Sequence, residues 1–485
     1  MSRPANPNPR VRTHIVKQKL KNGGYHVLER QMVYDAEKHR NKVVSTKLIG
    51  KLPPGETDIS KMIPTDKSYS RNTKKKSVEV VQNLTKGLVD TRVPEKVVYP
   101  LDVVLFVVVL AACTGVTSNY SIAQFWKRNR PTLEKWIPDF PEKDISHDTV
   151  RRLISLIGAE NSHDLIARFT EPLVVAMKQR VIAVDGQAIR AASAQAGAGR
   201  YTLNVLDTDN GLCLQQVFIG EKENEITRAR DAISGLNLQG AIVTCDAMNT
   251  QKKFCAEIID KGADYCMALK RNHGFLYDEV EAWFRTDKVN DAAVFQDVSA
   301  GHGRIETRTV KVLPSSVLEF NRENLKDWMG LEDGCVVMTQ TIRTDKEGEE
   351  LSMDTRYFIT SLAFEEDYIA QRVMRAIRNH WQIENGLHWC LDVTFNQDRT
   401  QCSNANYIKG RTVLNKVAFN MLSKMQANIE KETGKTAPTK PTLMTDMMDT
   451  DHLIRSVLGL YSGLPSLSDY LSSNPKRGKT CIPKG

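Results

Sequence analysis

The sequence predicts an α/β fold with a ribonuclease-H-like core, a β-rich insertion, a preceding helical domain and a small basic N-terminal β unit. Between residues 181 and 219, three apolar stretches rich in β-branched residues follow one another, each the length of a strand. Helical and strand-like patterns then alternate, with a helix over 225–236, a strand over 241–245, a helix over 250–261 and a strand over 265–269. Three successive strands followed by alternating helices and strands is the order expected of a ribonuclease-H-like core.

The composition is that of a globular protein of about two to four domains, with 485 residues, 41% hydrophobic and 26% charged. The longest apolar run, residues 103–113, is well short of the roughly 18–20 residues of a membrane span, and it predicts a buried helix. The N-terminus lacks the apolar segment of a signal peptide. The nine cysteines contain no C-x-x-C pair, which favours buried reduced thiols and a cytoplasmic location.

Positive charge is concentrated at the N-terminal end of the chain. Residues 1–100 hold 21 Lys or Arg against 9 Asp or Glu, a net +12, which leaves −3 on the rest of the chain. Residues 16–56 show the alternating pattern of β-strands and contain two turns. This pattern predicts a three-stranded sheet that ends at Pro53. Such a basic unit suits contact with a phosphate backbone, although a merely solvated surface is the alternative.

These patterns divide the chain into seven predicted parts, several of which are helical or β-rich units that flank the core. The parts are 1–66, a basic β unit and candidate DNA-binding unit; 67–94, a basic linker; 95–180, a helical domain and candidate for binding DNA ends; 181–284, the first part of the core; 285–355, a β-rich insertion; 356–425, the second part of the core; and 426–485, a tail of low periodicity that we expect to be mobile.

Three acidic residues are the candidate catalytic groups. Asp185 and Asp246 each follow a short apolar run that reads as a buried strand, which places both side chains at a sheet edge. Glu384 lies in what the sequence predicts to be one helix over residues 365–391, where His380 and His388 would share its face. Two strand-end aspartates and a glutamate form a ligand set suited to divalent metal and phosphoryl chemistry.

Several motifs in fixed order resemble those of the DDE transposases of bacterial insertion sequences, in particular the ISAs-type or H-repeat-associated proteins. The motifs read AVDG, TCDAM, LKRN, GHGRIETR, RYFITSL and HWQIENGLHWCLDVTF. The resemblance covers roughly residues 95–425 and is far more specific than any single motif.

The resemblance implies that Asp185, Asp246 and Glu384 are the catalytic and metal-binding triad, holding two Mg²⁺ ions with Mn²⁺ as a substitute. It implies cleavage and transfer of DNA strands of an insertion sequence by in-line phosphoryl transfer. The partners would be double-stranded DNA, both terminal repeats and target, and a second copy of the chain in a synaptic homodimer. The protein would then be nucleoid-associated when bound to DNA.

Seven further residues are candidates for contact with DNA because they are basic or aromatic and lie in or near these motifs. They are Arg190, Lys270, Arg304, Arg308, His380, His388 and Trp389. Each has a structural alternative: the two arginines of the GRIETR motif alternate with Glu306 and suit an ion-paired strand surface, and the histidines and tryptophan suit a packed core.

The chain departs from the family pattern at Gln187, where the family carries a lysine, and also at His273 and Gln397. None of these removes a metal ligand, but a neutral Gln187 predicts weaker contact with DNA. Two other functions therefore stay open. One is a decayed or domesticated copy that binds DNA without cutting it. The other is a zinc hydrolase using His380, Glu384 and His388, whose spacing does not match H-E-x-x-H.

Overall fold

A computed structural model describes most of the chain. The described residues are 12–20, 24–35, 40–52, 54–55, 57, 63–64, 90–137, 139–157, 160–175, 177, 179–190, 201–220, 225–301, 303–318, 325–399 and 402–462. Most of the predicted basic linker and residues 463–485 of the predicted tail lie outside these ranges.

The N-terminal part contains a four-stranded antiparallel sheet. Its strands, in spatial order, are β1 (Arg12–Lys19), β2 (Tyr25–Asp35), β3 (Arg40–Leu52) and β4 (Ile63–Pro64). The sequence predicted three strands and an end at Pro53. A fourth exists because the two residues of β4 pair with Gly50 and Lys51 of β3. That this sheet contacts DNA stays a prediction.

In the described part of the chain, four α-helices precede the main sheet. They are α1 (Leu101–Cys113), α2 (Asn119–Trp136), α3 (His147–Ser155) and α4 (Glu160–Thr170). Every residue of α1 except Asp102 is buried, so the longest apolar run is a core helix, as predicted. Ser146, the N-cap of α3, accepts a hydrogen bond from the backbone N–H of Thr149 at 3.2 Å.

The main sheet has nine strands. They are β5 (Val181–Ala188), β6 (Tyr201–Asp207), β7 (Leu212–Ile219), β8 (Ile242–Cys245), β9 (Asp264–Leu269), β10 (Ala293–Gly301), β11 (Arg304–Pro314), β12 (Cys335–Thr344) and β13 (Glu350–Thr360). Their spatial order is β10-β11-β12-β13-β9-β8-β5-β6-β7. The pairs β5–β8 and β8–β9 are parallel and the other neighbouring pairs are antiparallel. The predicted mixed α/β fold is thereby confirmed.

Strand β5 is buried on both faces. Ile182 and Val184 enter one apolar core, while Ala183 enters the core on the opposite face, shared with the helical part. A central strand covered on both sides needs apolar residues at every position, which explains the uninterrupted run that precedes Asp185. Three helices accompany this part of the sheet: α5 (Glu225–Ile233), α6 (Lys252–Asp260) and α7 (Gly274–Phe284).

The region predicted as a β-rich insertion is an antiparallel meander of four long strands, β10 to β13. It continues the main sheet, because β13 pairs with β9 from Tyr357 opposite Leu269 to Thr360 opposite Cys266. The meander thus completes the open edge of β9 with backbone hydrogen bonds. Its strands lie beside the helix that carries Glu384.

That helix is not the continuous α-helix that the sequence predicted. Helix α8 spans Ile369–Gln382 and is followed by π-helical turns over Ile383–His388 and Cys390–Thr394. It begins after Tyr368, whose φ of 58° places that residue in the left-handed region. The π-helical hydrogen-bond pattern i→i+5 is rare and is frequent at functional sites.

Helix α9 (Ala405–Thr433) is buried on most of its circumference. Its sequence has the pattern of an amphipathic helix with basic positions Lys409, Arg411 and Lys416. Two of these basic residues are nonetheless buried, Arg411 at 3% and Lys416 at 0% exposure. The reason is that α9 contacts helices α1, α3 and α4 as well as strand β7, so its surroundings cover more than one face.

The predicted mobile tail was also wrong over its described part. The chain continues as the end of α9, then α10 (Lys440–Asp446) and α11 (Thr450–Ser462). Leu453, Ile454, Val457 and Leu458 are fully buried in the core of the helical part. These four positions form one helical face, which the low overall periodicity of the segment concealed.

Among the described residues, no helix is both long enough and apolar enough to cross a membrane. The eight described cysteines are free thiols, and seven of them are buried.

Candidate active site

Asp185 and Asp246 lie side by side at one edge of the main sheet. The register of the parallel strands pairs Val184 of β5 with Cys245 of β8, so each aspartate is the next residue on its own strand. The side chain of Asp185 is 16% exposed. Parallel strands end at a common edge, and the structure therefore brings these two predicted residues together.

Glu384 reaches the same edge from the π-helical turns after α8. It lines a cavity of about 470 Å³ together with Asp246. The cationic side chains of Lys270 and Arg356 line this cavity as well. The three predicted acids are thus neighbours, and two cations stand across the cavity from two of them.

His380 and His388 lie on either side of Glu384 in sequence, and both contact the main sheet. His380 Nδ1 lies 3.1 Å from the hydroxyl of Thr244 on β8. His388 Nε2 lies 3.0 Å from Asn204 Nδ2 on β6, and its Nδ1 is 3.7 Å from Asp185 Oδ2. The two histidines thus contact different strands, and that they share one face with Glu384 stays a prediction. This arrangement gives a zinc site on these three residues no support.

The carboxylates of the site raise one another's pKa. Burial and the charges of Glu384, Asp246 and Glu225 raise the pKa of Asp185 to about 8. Burial also raises the pKa of Glu384, which Arg356 lowers and Asp246 raises further. An ionised group next to several like charges is costly without a compensating cation.

Both histidines are neutral at physiological pH. Burial lowers the pKa of His380 to about 4, although the charge of Asp246 opposes this shift. Burial and the charges of Lys416 and His380 lower the pKa of His388 to about 3. The histidines therefore act as neutral hydrogen-bonding groups here and do not offset the acidic charge.

Sequence reasoning missed two residues of the site, Glu225 and Asn249. Asn249 Nδ2 donates hydrogen bonds to Glu225 Oε1 at 2.5 Å and to Asp246 Oδ1 at 3.1 Å. Burial and the charge of Asp246 raise the pKa of Glu225, which the Asn249 hydrogen bond lowers. The only signal in the sequence was position: Glu225 opens the first helix after three strands, and Asn249 lies three residues after Asp246.

The other candidates for DNA contact differ in exposure. Arg190 has an 82% exposed side chain, and its backbone N–H donates to Asp398. Trp389 is 54% exposed, and Lys270 is exposed at the end of β9. These three are accessible to a ligand, whereas His388 is buried against the sheet.

Arg304 and Arg308 belong to an ion-pair network on the meander. Both contact Glu306, which also accepts a hydrogen bond from Arg343 Nε at 3.1 Å. All four side chains line a groove of about 890 Å³ that runs beside Trp381. The predicted alternation on one strand face is confirmed, and contact with DNA stays a prediction.

The side chain of Gln187 is buried. Gln187 is 6% exposed, donates to Asp392 Oδ1 at 2.9 Å and accepts from Asn204 Nδ2 at 3.3 Å. The side chain is thus internal to the wall of the site, and the expected weakening of contact with DNA stays a prediction.

The acids of the site offer only carboxylate oxygens, which is the donor chemistry that Mg²⁺ prefers. Within the described ranges, no group of three or more His, Cys, Asp or Glu side chains is arranged so that it could hold a metal ion as it stands. Shared binding of an ion would therefore require these side chains to draw closer together.

Comparison with known proteins gives two family matches. Residues 176–421 match the family described as "Transposase DDE domain", and residues 84–170 match the one described as "DDE_Tnp_1-associated". These matches span the main sheet with the Glu384 helix, and the four preceding helices, respectively.

Two of the curated relatives are Escherichia coli proteins. "Putative transposase YncI" of strain O157:H7 is 30% identical over 353 residues, which is 71% of this chain and 88% of that protein. "H repeat-associated putative transposase YhhI" of strain K12 is 29% identical over 341 residues, which is 69% of this chain and 88% of that protein.

Proposed function

We propose that this chain, which belongs to the DDE transposase family, is a metal-dependent transposase that cleaves and transfers DNA strands of an insertion sequence. The observation that carries the proposal is the group of Asp185, Asp246 and Glu384 at one sheet edge, whose charges act on one another. Such mutual perturbation of acids in a cleft is characteristic of functional sites.

The topology supports a ribonuclease-H-like core. Strands β7-β6-β5-β8-β9 are adjacent in that order, with β5, β8 and β9 parallel to one another and β6 antiparallel to both of its neighbours, β5 and β7. In this arrangement the first strand, β5, is central and carries Asp185, and its parallel neighbour β8 ends just before Asp246. The two acids thus meet at the crevice where ligands of open α/β sheets bind.

Asp185, Asp246 and Glu384 would hold two Mg²⁺ ions, with Mn²⁺ as a substitute. When bound, the ions would stabilise the negative charge that develops on the scissile phosphate and orient the reacting oxygens. The donor set fits, because every acid here supplies hard oxygen ligands.

The surrounding residues would orient the acids and the DNA. Neutral His388, fixed by Asn204, would keep Asp185 in place without neutralising it. Lys270 and Arg356 line the cavity that holds Asp246 and Glu384, so they would contact the phosphate backbone of the bound strand. Arg190 and Trp389 are exposed and would extend this contact.

The substrates would be double-stranded DNA, namely the terminal repeats of the element and a target. Two ends must be joined in one reaction, so we expect a homodimer in the synaptic complex. The basic N-terminal sheet and the four helices α1 to α4 are candidates for holding those ends.

Strand nicking of a labelled duplex that carries the element's terminal repeat tests the proposal. With Mg²⁺ or Mn²⁺, we expect cleavage by the wild type and a loss of about 10²–10³-fold or more in Asp185→Asn and Glu384→Gln. Asp278→Asn, which neutralises an exposed acid on α7, should cleave like the wild type.

A gel-shift measurement on the same duplex separates the alternative function. A wild type that binds the repeat but cuts it with neither metal would be a DNA-binding copy without turnover, and the proposed activity would be wrong. Cleavage that persists in both acid variants would instead remove the triad from the mechanism.

A further inference from the structure

Glu225 places its carboxylate against the backbone next to Asp185. It is the first residue of α5, and a Cβ atom added to Gly186 would lie 2.5 Å from Glu225 Oε2 and 3.1 Å from Oε1. Only glycine at position 186 leaves this space free. The carboxylate of Glu225 therefore occupies the space that a side chain at position 186, directly after Asp185, would fill.

The same carboxylate is joined to Asp246 through one side-chain amide. Asn249 Nδ2 donates to Glu225 Oε1 and to Asp246 Oδ1, and the backbone N–H of Asn249 donates to Asp246 Oδ1 at 3.1 Å. Asn249 is 0% exposed, and its own Oδ1 has no hydrogen-bond partner in the described part of the chain. The amide of Asn249 is thus oriented so that its NH₂ group donates to both acids.

Glu225 is therefore next to both aspartates of the triad. Across the residues that the structure describes, no Lys or Arg forms an ion pair with it. Carboxylates gathered without a cation repel one another, and a divalent ion relieves that repulsion.

We propose that Glu225 is a fourth acidic ligand of the divalent-metal site, acting with Asp185 and Asp246. This inference rests on the proposed function. It extends the site beyond the triad that the motifs indicate. Glu225 reaches the sheet edge from α5, on the side of Gly186, whereas Glu384 reaches it from the π-helical turns.

A purely structural role is the competing explanation, in which Glu225 only accepts the hydrogen bond from Asn249. Glu225→Gln separates the two, because glutamine Oε1 still accepts that hydrogen bond but carries no charge and is a poor ligand for Mg²⁺ or Mn²⁺. Asp231→Asn is the matched control, since it removes one negative charge from an exposed position of the same helix.

The experiment is calorimetric titration of the full-length protein with Mn²⁺ alone, without DNA. We expect Glu225→Gln to weaken Mn²⁺ binding at least about tenfold, as Asp185→Asn does, while Asp231→Asn binds like the wild type. The shift in melting temperature on adding Mn²⁺ gives a second measurement, which should shrink in Glu225→Gln and persist in Asp231→Asn.

The outcomes separate this inference from the proposed function. If Asp185→Asn loses Mn²⁺ binding and Glu225→Gln keeps wild-type affinity and the full melting shift, Glu225 is structural and only this inference is overturned. If the wild type binds no Mn²⁺, or Asp185→Asn binds Mn²⁺ as well as the wild type, the proposed metal site is wrong. Both this inference and the proposed function are then overturned.

Discussion

Two acidic groups of this protein lie in opposite electrostatic surroundings. Glu306 on the meander contacts Arg304 at 2.7 Å, Arg343 at 3.1 Å, and Arg308. Burial raises its pKa, but the Arg343 hydrogen bond and the charges of the other two arginines outweigh burial, so the net pKa lies below the usual value. Asp185 has acids as neighbours, and its pKa rises to about 8.

The contrast distinguishes an acid that holds the structure together from one arranged for a ligand. The arginines around Glu306 already supply the compensating charge, so that cluster needs no ion. The sheet edge around Asp185 has a surplus of negative charge, which the fold tolerates at the expense of its own stability. Three substitutions sharpen this comparison.

The largest expected effect is on stability as a function of pH at Asp185. Its folded pKa of about 8 lies above the unfolded value near 3.8, so its stabilising contribution is complete below about pH 4 and is lost as pH rises through 8. Asp185→Asn has no such loss. Without divalent ions, the unfolding free energy of the wild type, compared with that of this variant, should therefore fall by a few kcal/mol as the pH rises over this range. A difference of one pKa unit corresponds to about 1.4 kcal/mol.

Urea unfolding of both proteins at about pH 5 and pH 9 measures this difference. Saturating Mg²⁺ should restore the wild type at the higher pH. A difference that stays constant over this range would show that the charge of Asp185 is already compensated in the folded protein.

The effect of Glu306→Gln on the unfolding free energy should have the opposite sign and a smaller magnitude. The substitution leaves three arginines facing one another, and we expect a loss of about 1–2 kcal/mol, reduced by their partial exposure. Because the folded pKa of Glu306 is lowered, its stabilisation is present above the unfolded pKa and is lost as pH falls. The wild type should therefore lose its advantage over the variant in acid.

The same unfolding assay at neutral and acidic pH tests this expectation. Glu347→Gln, at an exposed position of the β12–β13 turn, serves as the control and should change little. Equal stability of wild type and Glu306→Gln at neutral pH would mean that the network contributes nothing measurable.

The smallest effect is expected from Gln187→Lys, which adds a cation beside the acidic edge. Burial and the charge of Asp398 raise the pKa of Asp392 to about 6, and Gln187 donates to it. An ammonium group at this position should form an ion pair with Asp392, but its burial costs much of the Coulomb gain, so we expect the protein to be stabilised by at most about 1 kcal/mol at pH 8. The gain should disappear below pH 6, where Asp392 becomes protonated.

Gln187→Met is the control, since it removes the hydrogen bonds without adding charge and should destabilise. If the lysine variant unfolds more easily than wild type at pH 8, the wall of the site does not accommodate the cation. The negative charge of Asp392, unlike that of Asp185, would then need no added cation.

Much of the core was predictable because its patterns are local. The uninterrupted apolar run before Asp185 and the similar run before Asp246 indicated buried strands, and the register of β5 and β8 places the two acids together. The apolar run of α1 indicated a core helix in the same way. These features depend on residues that are neighbours in sequence.

The errors arose where distant segments decide the environment. Helix α9 looked amphipathic, yet Lys416 is buried because other helices and β7 cover it. The described part of the C-terminal segment showed little periodicity, yet its helices pack in the core. Gln187 was noted only because it lacks the positive charge of the family's lysine, yet its side chain bonds to Asp392, 205 residues away in sequence.

The sequence by itself determined the α/β core, the three acids and their family, because each is recorded in short patterns of apolar and charged residues. Only the tertiary structure decided which other groups surround those acids. It set the π-helical turns that carry Glu384, and it brought Glu225 against Gly186 through the packing of α5 on the sheet. A charge acts through space over a few ångströms, and no spacing along the chain reports which residues folding brings that close.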